Sequence, residues 1–85
     1  MKEMRPDPVV FVNYLHDLGF QLKEYALEAK KRADTSKGTP EESYYTGYLM
    51  GFHRVVSLMQ QQAEAFGIPL RMLGLEGFDA EKDLI

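Results

Sequence analysis

The stretch GTPEESYYTGYLMGFHRVVSLMQQQAEAFGIP, residues 38–69, decides the fold. Its opening Thr39-Pro40-Glu41-Glu42 has the composition of a helix start. Thr39 can cap, Pro40 suits the first helical position, and Glu42 completes a Thr-x-x-Glu capping box. Its end is equally explicit. Gly67 suits a left-handed residue just past a helix, Ile68 is its apolar companion, and Pro69 prevents continuation. A helix is therefore predicted over about 40–66.

Upstream, Asp7-Pro8 is a second helix start, with Asp7 as the capping acceptor and Pro8 at the first position. Phe11, Leu15, Leu18, Leu22, Tyr25 and Ala29 recur at alternating steps of four and three. That is helical rather than strand periodicity. It predicts a first helix over about 8–34, with Gly19 as its one costly interior residue. The polar run Asp34–Gly38 then forms the turn. Two helices of similar length joined by a short turn make an antiparallel hairpin. Segment 67–85 follows, with Leu70–Leu73 as one helical turn ended by Gly74. Leu75, Phe78, Leu84 and Ile85 are its remaining apolar residues. Residues 1–85 thus form one small all-α domain.

The faces of the second helix ask for more cover than one neighbour gives. Tyr44, Tyr45, Tyr48, Leu49, Phe52, Val55, Val56, Met59, Ala63 and Phe66 fall on one side, and Gly47, Gly51, Leu58 and Ala65 widen it. The arc spans roughly 200°, against the ~100° that one packed helix needs. Opposite lies a narrow polar strip of Arg54, Ser57, Gln61 and Glu64, with His53 beside Arg54 expected on the surface. The simplest cover is a second copy, giving a four-helix bundle by homodimerisation. Tyr45, Tyr48, Leu49, Phe52, Val55, Val56, Met59 and Phe66 are the expected dimer or core interface. Gly47-x-x-x-Gly51 forms a ridge of small residues suited to close helix packing. Phe20 and Leu27 sit on the side of the first helix opposite its main seam. With Val9 or Val12 nearby and Asp17, Lys23, Glu24 and Lys31 around them, they are the candidate partner-binding residues.

Composition excludes several classes. The 85 residues are 45% hydrophobic and 27% charged, which argues against a disordered tail. Ten basic residues against 13 acidic ones leave a net charge of −3, unfavourable for holding a phosphate backbone. Lys23, Lys30, Lys31, Arg32 and Lys37 make the end of the first helix basic, which its dipole explains. Run 43–63 is long enough to span a membrane, but His53, Arg54, two serines and three glutamines are too polar for it. With no cysteine there is no disulfide, no thiol chemistry and no Cys-ligated metal. His16 and His53 lack the Glu three residues earlier that helical metal sites use, so no metal and no cofactor is expected. No nucleophile triad and no phosphate-binding glycine loop is legible. Met1–Pro6 carries no apolar leader, so a cytoplasmic protein is expected.

The function expected from these features is a non-catalytic protein-protein interaction module: an adaptor, a small chaperone or an immunity- or antitoxin-like protein. Two other readings stand beside it. Tyr44, Tyr45 and Tyr48, with Tyr14 and Tyr25, could line a small-ligand pocket or an enzyme site between helices, although tyrosines at a helix edge equally serve as amphipathic core margin. The basic end of the first helix could belong to a DNA-associated regulator.

Overall fold

The computed structural model describes residues 7–85; the leader reading rests on 1–6 and lies outside them. Helix α1 spans Pro8–Thr35 and α2 spans Glu42–Phe66. A 3-10 turn follows at Leu70–Leu73, and a short α3 at Ala80–Asp83. Among the described residues there is no strand, and no helix is long and apolar enough to cross a membrane.

The helix ends follow local chemistry. Asp7 Oδ1 accepts from the Val9 N–H at 3.0 Å, with Pro8 opening α1. Gly67 adopts the left-handed conformation at φ 68°. The Ile68 N–H donates to the Ala63 carbonyl and the Gly67 N–H to that of Glu64, which together form a Schellman stop. The start of α2 departs from expectation. Regular helix begins at Glu42 rather than 40, and the capping box is offset by one residue. The Glu42 carboxylate reaches back to the Gly38 N–H at 2.8 Å, not to that of Thr39. The Thr39 N–H is already engaged by the Ser36 carbonyl at 2.9 Å, which leaves Gly38 as the free donor. Thr39 Oγ1 accepts from the Glu41 N–H at 3.3 Å.

The two helices run antiparallel. Arg32 stands over the Tyr45 ring, and the Tyr25 ring meets that of Phe52 at 6.3 Å, so higher numbers on α2 meet lower numbers on α1. The buried seam of α1 is Ala26, Ala29 and Ala33, in one core with Leu49, Val56 and Ala63 of α2, while buried Gly19 faces Leu73 of the 3-10 turn. Of the expected seam Ala29 is buried, while Phe11, Leu15, Leu18 and Tyr25 are exposed. The small residues Ala26, Ala29 and Ala33 occupy the contact, and Leu18 and Tyr25 stand at its margin, 39% and 53% exposed.

Segment 67–85 folds back across the hairpin and supplies much of the core. Leu73, Leu75, Phe78, Ala80 and Leu84 are all buried, and Leu75 and Leu84 are, with Val56, the largest fully enclosed side chains. The segment packs first on α1 through the 3-10 turn, then on α2 through α3. At the first crossing, Gly74 has φ 69°, and its Cα faces the His16 carbonyl and the Phe20 N–H so closely that no Cβ would fit. At the second, the Gln60 amide donates to the Phe78 carbonyl at 2.8 Å and accepts from the Ala80 N–H at 3.3 Å. Asp79 and Asp83 cap α3 reciprocally, each taking one backbone N–H of the turn at 2.8 Å.

Candidate interaction face

The clasp formed by 67–85 lies on one side of the hairpin only. It touches His16, Gly19 and Phe20 on α1 and lies against Gln60 and His53 on α2. Tyr48 and Val55 are turned roughly 140° round α2 from His53 and Gln60, and Leu18 and Tyr25 a similar angle round α1 from His16 and Lys23. These residues form a second face that no other part of the described residues 7–85 covers. The molecule is only 16 Å through its thinnest direction, against 56 and 32 Å in the others. A stable helical domain buries an apolar face against another layer, and on this side the described residues supply none.

The open face has a specific relief. Four aromatic rings run along it as a ladder. Tyr44 stacks on Tyr48 at 6.3 Å, Tyr48 meets Phe52 edge-on at 5.1 Å, and Phe52 meets Tyr25. Beside the ladder, Gly47, Tyr48, Gly51, Phe52 and Val55 line an apolar groove of about 360 Å³. Among the described residues, a Cβ placed on Gly47 or Gly51 would meet nothing within 4 Å. Towards the other end, Val9, Val10, Phe11, Val12, Tyr14, Leu15 and Leu18 are all exposed, although Phe11 and Leu15 continue the apolar seam of α1. Phe66, 74% exposed, stands at that same end.

The expected interface residues divide accordingly. Leu49 and Val56 are buried inside the chain, and Tyr45, Phe52 and Met59 pack against that core. Tyr48, Val55 and Phe66 are exposed. Phe20 and Leu27 remain 40% and 39% exposed on α1, beside the clasp rather than beneath it. The Lys23 ammonium sits 4.9 Å over the Phe20 ring, and His16, Arg71 and Glu76 surround it.

The tyrosine end carries a cation. The Arg32 guanidinium lies over Tyr45 and bonds Glu28 Oε1 at 3.1 Å. Glu28 first, and the Tyr45 hydroxyl second, raise the Arg32 pKa above its ordinary value. With Tyr44 and Tyr48 these residues line an open depression of about 260 Å³.

His53 differs from its expected surface position beside Arg54. It is half-buried because α3 passes over that side of α2, bringing Glu81 Oε1 to 3.2 Å from His53 Nε2. The approach is not aligned as a hydrogen bond, and the neighbouring Ser57 hydroxyl is enclosed without a partner. The polar strip of α2 is thus partly the seat of the clasp. Gln60, the residue that fixes it, was not singled out by sequence. It stands in a run of three glutamines, and only the distant Phe78 and Ala80 distinguish it from its neighbours.

Comparison with protein-family models, with curated proteins and with solved structures gave no match.

Proposed function

We propose that the chain is a non-catalytic protein-interaction module that works as a homodimer, two hairpins closing face to face into a four-helix bundle. The observation that carries this reading is the open aromatic face on a molecule one helix layer deep, backed by its clasp on the other side alone. The accessible surface supports it. The chain exposes 6514 Å², against about 5200 Å² for a compact monomer of its mass. Once the dimer forms, Phe20 and Leu27 remain outward with charged neighbours, an apolar centre in a charged rim that suits a second, different protein. The lack of cysteine suits a reducing compartment such as the cytoplasm.

Light scattering coupled to size exclusion tests the dimer. The expected result is a particle of twice the 9.8 kDa chain mass at micromolar concentration. Val55→Glu is the companion variant. Val55 is 43% exposed in the single chain, so a carboxylate there leaves the hairpin folded. Inside a dimer it is an unpaired buried charge costing several kcal/mol, so this variant runs as a helical monomer. A wild-type chain that runs as a monomer overturns the reading.

A further inference from the structure

We infer that the depression between the end of α1 and the start of α2 is a binding site for a methylated ammonium group, and that the Arg32 guanidinium holds that group's place in the free chain. The site is formed within one chain, so it is independent of the dimer proposed above.

Arg32 stands in the last turn of α1, and Tyr44, Tyr45 and Tyr48 stand in the first two turns of α2. The short turn between the helices brings them side by side. Tyr44 and Tyr48 are four apart, so they share one helix face and stack with their planes 9° apart. Tyr45 stands nearly square to Tyr44, at 81° and 5.1 Å between centroids. Three rings in two orientations, with the Glu28 carboxylate and Arg32, line an open space of about 260 Å³. The face of an aromatic ring is negative and attracts a cation lying within about 6 Å of its centre. Arg32 already uses this: its guanidinium carbon is 5.8 Å from the Tyr45 centroid. Among the described residues no cation lies over Tyr44 or Tyr48, and both remain exposed.

The lining selects the kind of cation. Ring faces offer charge attraction but no directed hydrogen-bond acceptor. A bare ammonium is strongly hydrated and holds its water. A methylated ammonium has given up N–H groups, is more easily desolvated and presents its methyls to the rings. Glu28 supplies the opposite charge, and its side chain is 60% exposed, so it faces no burial cost of its own. The net charge of −3 adds a weak attraction for cations and none for anions. Two sources carry this group: a free molecule such as choline, or a trimethylated lysine on another protein.

The test is a titration of the full chain with choline, followed by the ring resonances of Tyr44, Tyr45 and Tyr48. Sodium chloride at equal ionic strength is the blank. The control is the neutral carbon analogue of choline, with a tert-butyl group in place of trimethylammonium. Choline should shift the three rings at millimolar concentration, and the neutral analogue should bind about tenfold more weakly. Tyr44→Leu keeps an apolar wall and removes one ring. Tyr44 is 68% exposed, so the hairpin stays folded, and most of the choline affinity should be lost. Arg32→Gln removes the resident cation and should bind choline about threefold more tightly. Choline that shifts none of the rings in the native chain or in Arg32→Gln overturns the site. So does equal affinity for the neutral analogue, or full affinity in Tyr44→Leu. Unchanged affinity in Arg32→Gln overturns the role given to Arg32 and leaves the site standing. A short peptide carrying trimethyl-lysine, compared with its unmodified form, separates the two sources. Tighter binding than choline assigns the site to a protein side chain, and binding no tighter assigns it to the free cation.

Discussion

Gly19 and Leu73 are in backbone contact. The Leu73 carbonyl oxygen occupies the place a side chain at position 19 would need, and the Leu73 carbonyl carbon lies 2.8 Å from it. The weakest helix former of α1 is the point where the returning chain crosses it. Gly74 makes the reciprocal approach, with the Phe20 nitrogen 2.7 Å from where its Cβ would stand.

Gly19→Ala therefore separates α1 from the 3-10 turn. Overpacking of this kind costs roughly 1–3 kcal/mol, and each kcal/mol lowers the melting temperature of a chain this size by about 4–8 °C. Gly74→Ala combines that overlap with left-handed strain. Gly67→Ala, left-handed but with open space around it, carries the strain alone and serves as the control. Thermal unfolding should rank Gly74→Ala as the more damaging of the two. Equal losses would mean that the crossing adds nothing.

Gln60→Ala removes both hydrogen bonds that hold the clasp to α2. It leaves the Phe78 carbonyl and the N–H of fully buried Ala80 without partners. Such orphaned groups cost about 1–3 kcal/mol. Hydrogen exchange should show amides 75–84 losing protection while the middle of α1 keeps its own. Gln61→Ala, one residue along and exposed, should leave both unchanged.

Gly51→Leu fills the groove without touching the hairpin core, because none of the described residues lies within 4 Å of a Cβ there. The expected outcome is unchanged or slightly raised helicity by circular dichroism. The dimer should dissociate at concentrations at least tenfold higher than wild type, about 1.4 kcal/mol. A leucine that leaves association untouched places the interface elsewhere.

The double variant Phe20→Ser, Leu27→Ser addresses the second surface. Both side chains are about 40% exposed in the single chain and lie off the aromatic face. The dimer mass should be kept and the melting temperature should fall only modestly, while capture of a protein partner from the native host is lost. A collapse in stability assigns both residues to the support of the clasp.

At the end of α1, Lys30 Nζ bonds Asp34 Oδ1 at 2.9 Å, and Lys37 stands 3.8 Å away. Lys30 is the main cause of an Asp34 pKa below its ordinary value. A depressed carboxylate pKa contributes stability that is present above the unfolded-chain value and lost as pH falls through the folded one. The group is exposed, so the contribution is small and screened by salt. Asp34→Asn should flatten the acid limb of the stability curve slightly at low ionic strength and have no effect at 1 M salt. A difference that survives high salt would require a contact other than the ion pair.

The hairpin was legible because its punctuation is local. Asp7-Pro8 starts α1 and Gly67-Ile68-Pro69 stops α2 through groups no more than a turn away. The seam was only partly legible, through Ala29, because periodicity weighs large side chains, whereas α1 meets α2 through Ala26, Ala29 and Ala33. Leu70, Leu73, Leu75 and Phe78 made it legible that the clasp folds back at least in part, but not where it lands. Its contacts join Leu73 to Gly19 and Phe78 to Gln60, and so short a segment has no repeat to show which of its side chains turn inward. The face that stays open was legible as excess: α2 displayed more apolar arc than one partner helix covers. Which of those residues the chain buries itself, Leu49 and Val56, and which it leaves exposed, Tyr48 and Val55, depends on where the clasp falls.

The ring ladder of Tyr44, Tyr48, Phe52 and Tyr25 gives the molecule a built-in optical signal. The chain has five tyrosines and no tryptophan, so no indole emission masks them. Rings held edge-to-face at 5.1 Å couple their electronic transitions, and a fixed asymmetric cluster of this kind dominates near-ultraviolet dichroism. Because the cluster lies along the open face rather than in the core, its signal follows whatever covers that face. Dissociation of the proposed dimer on dilution can therefore be followed without any label, by dichroism and emission from side chains on the face it would cover.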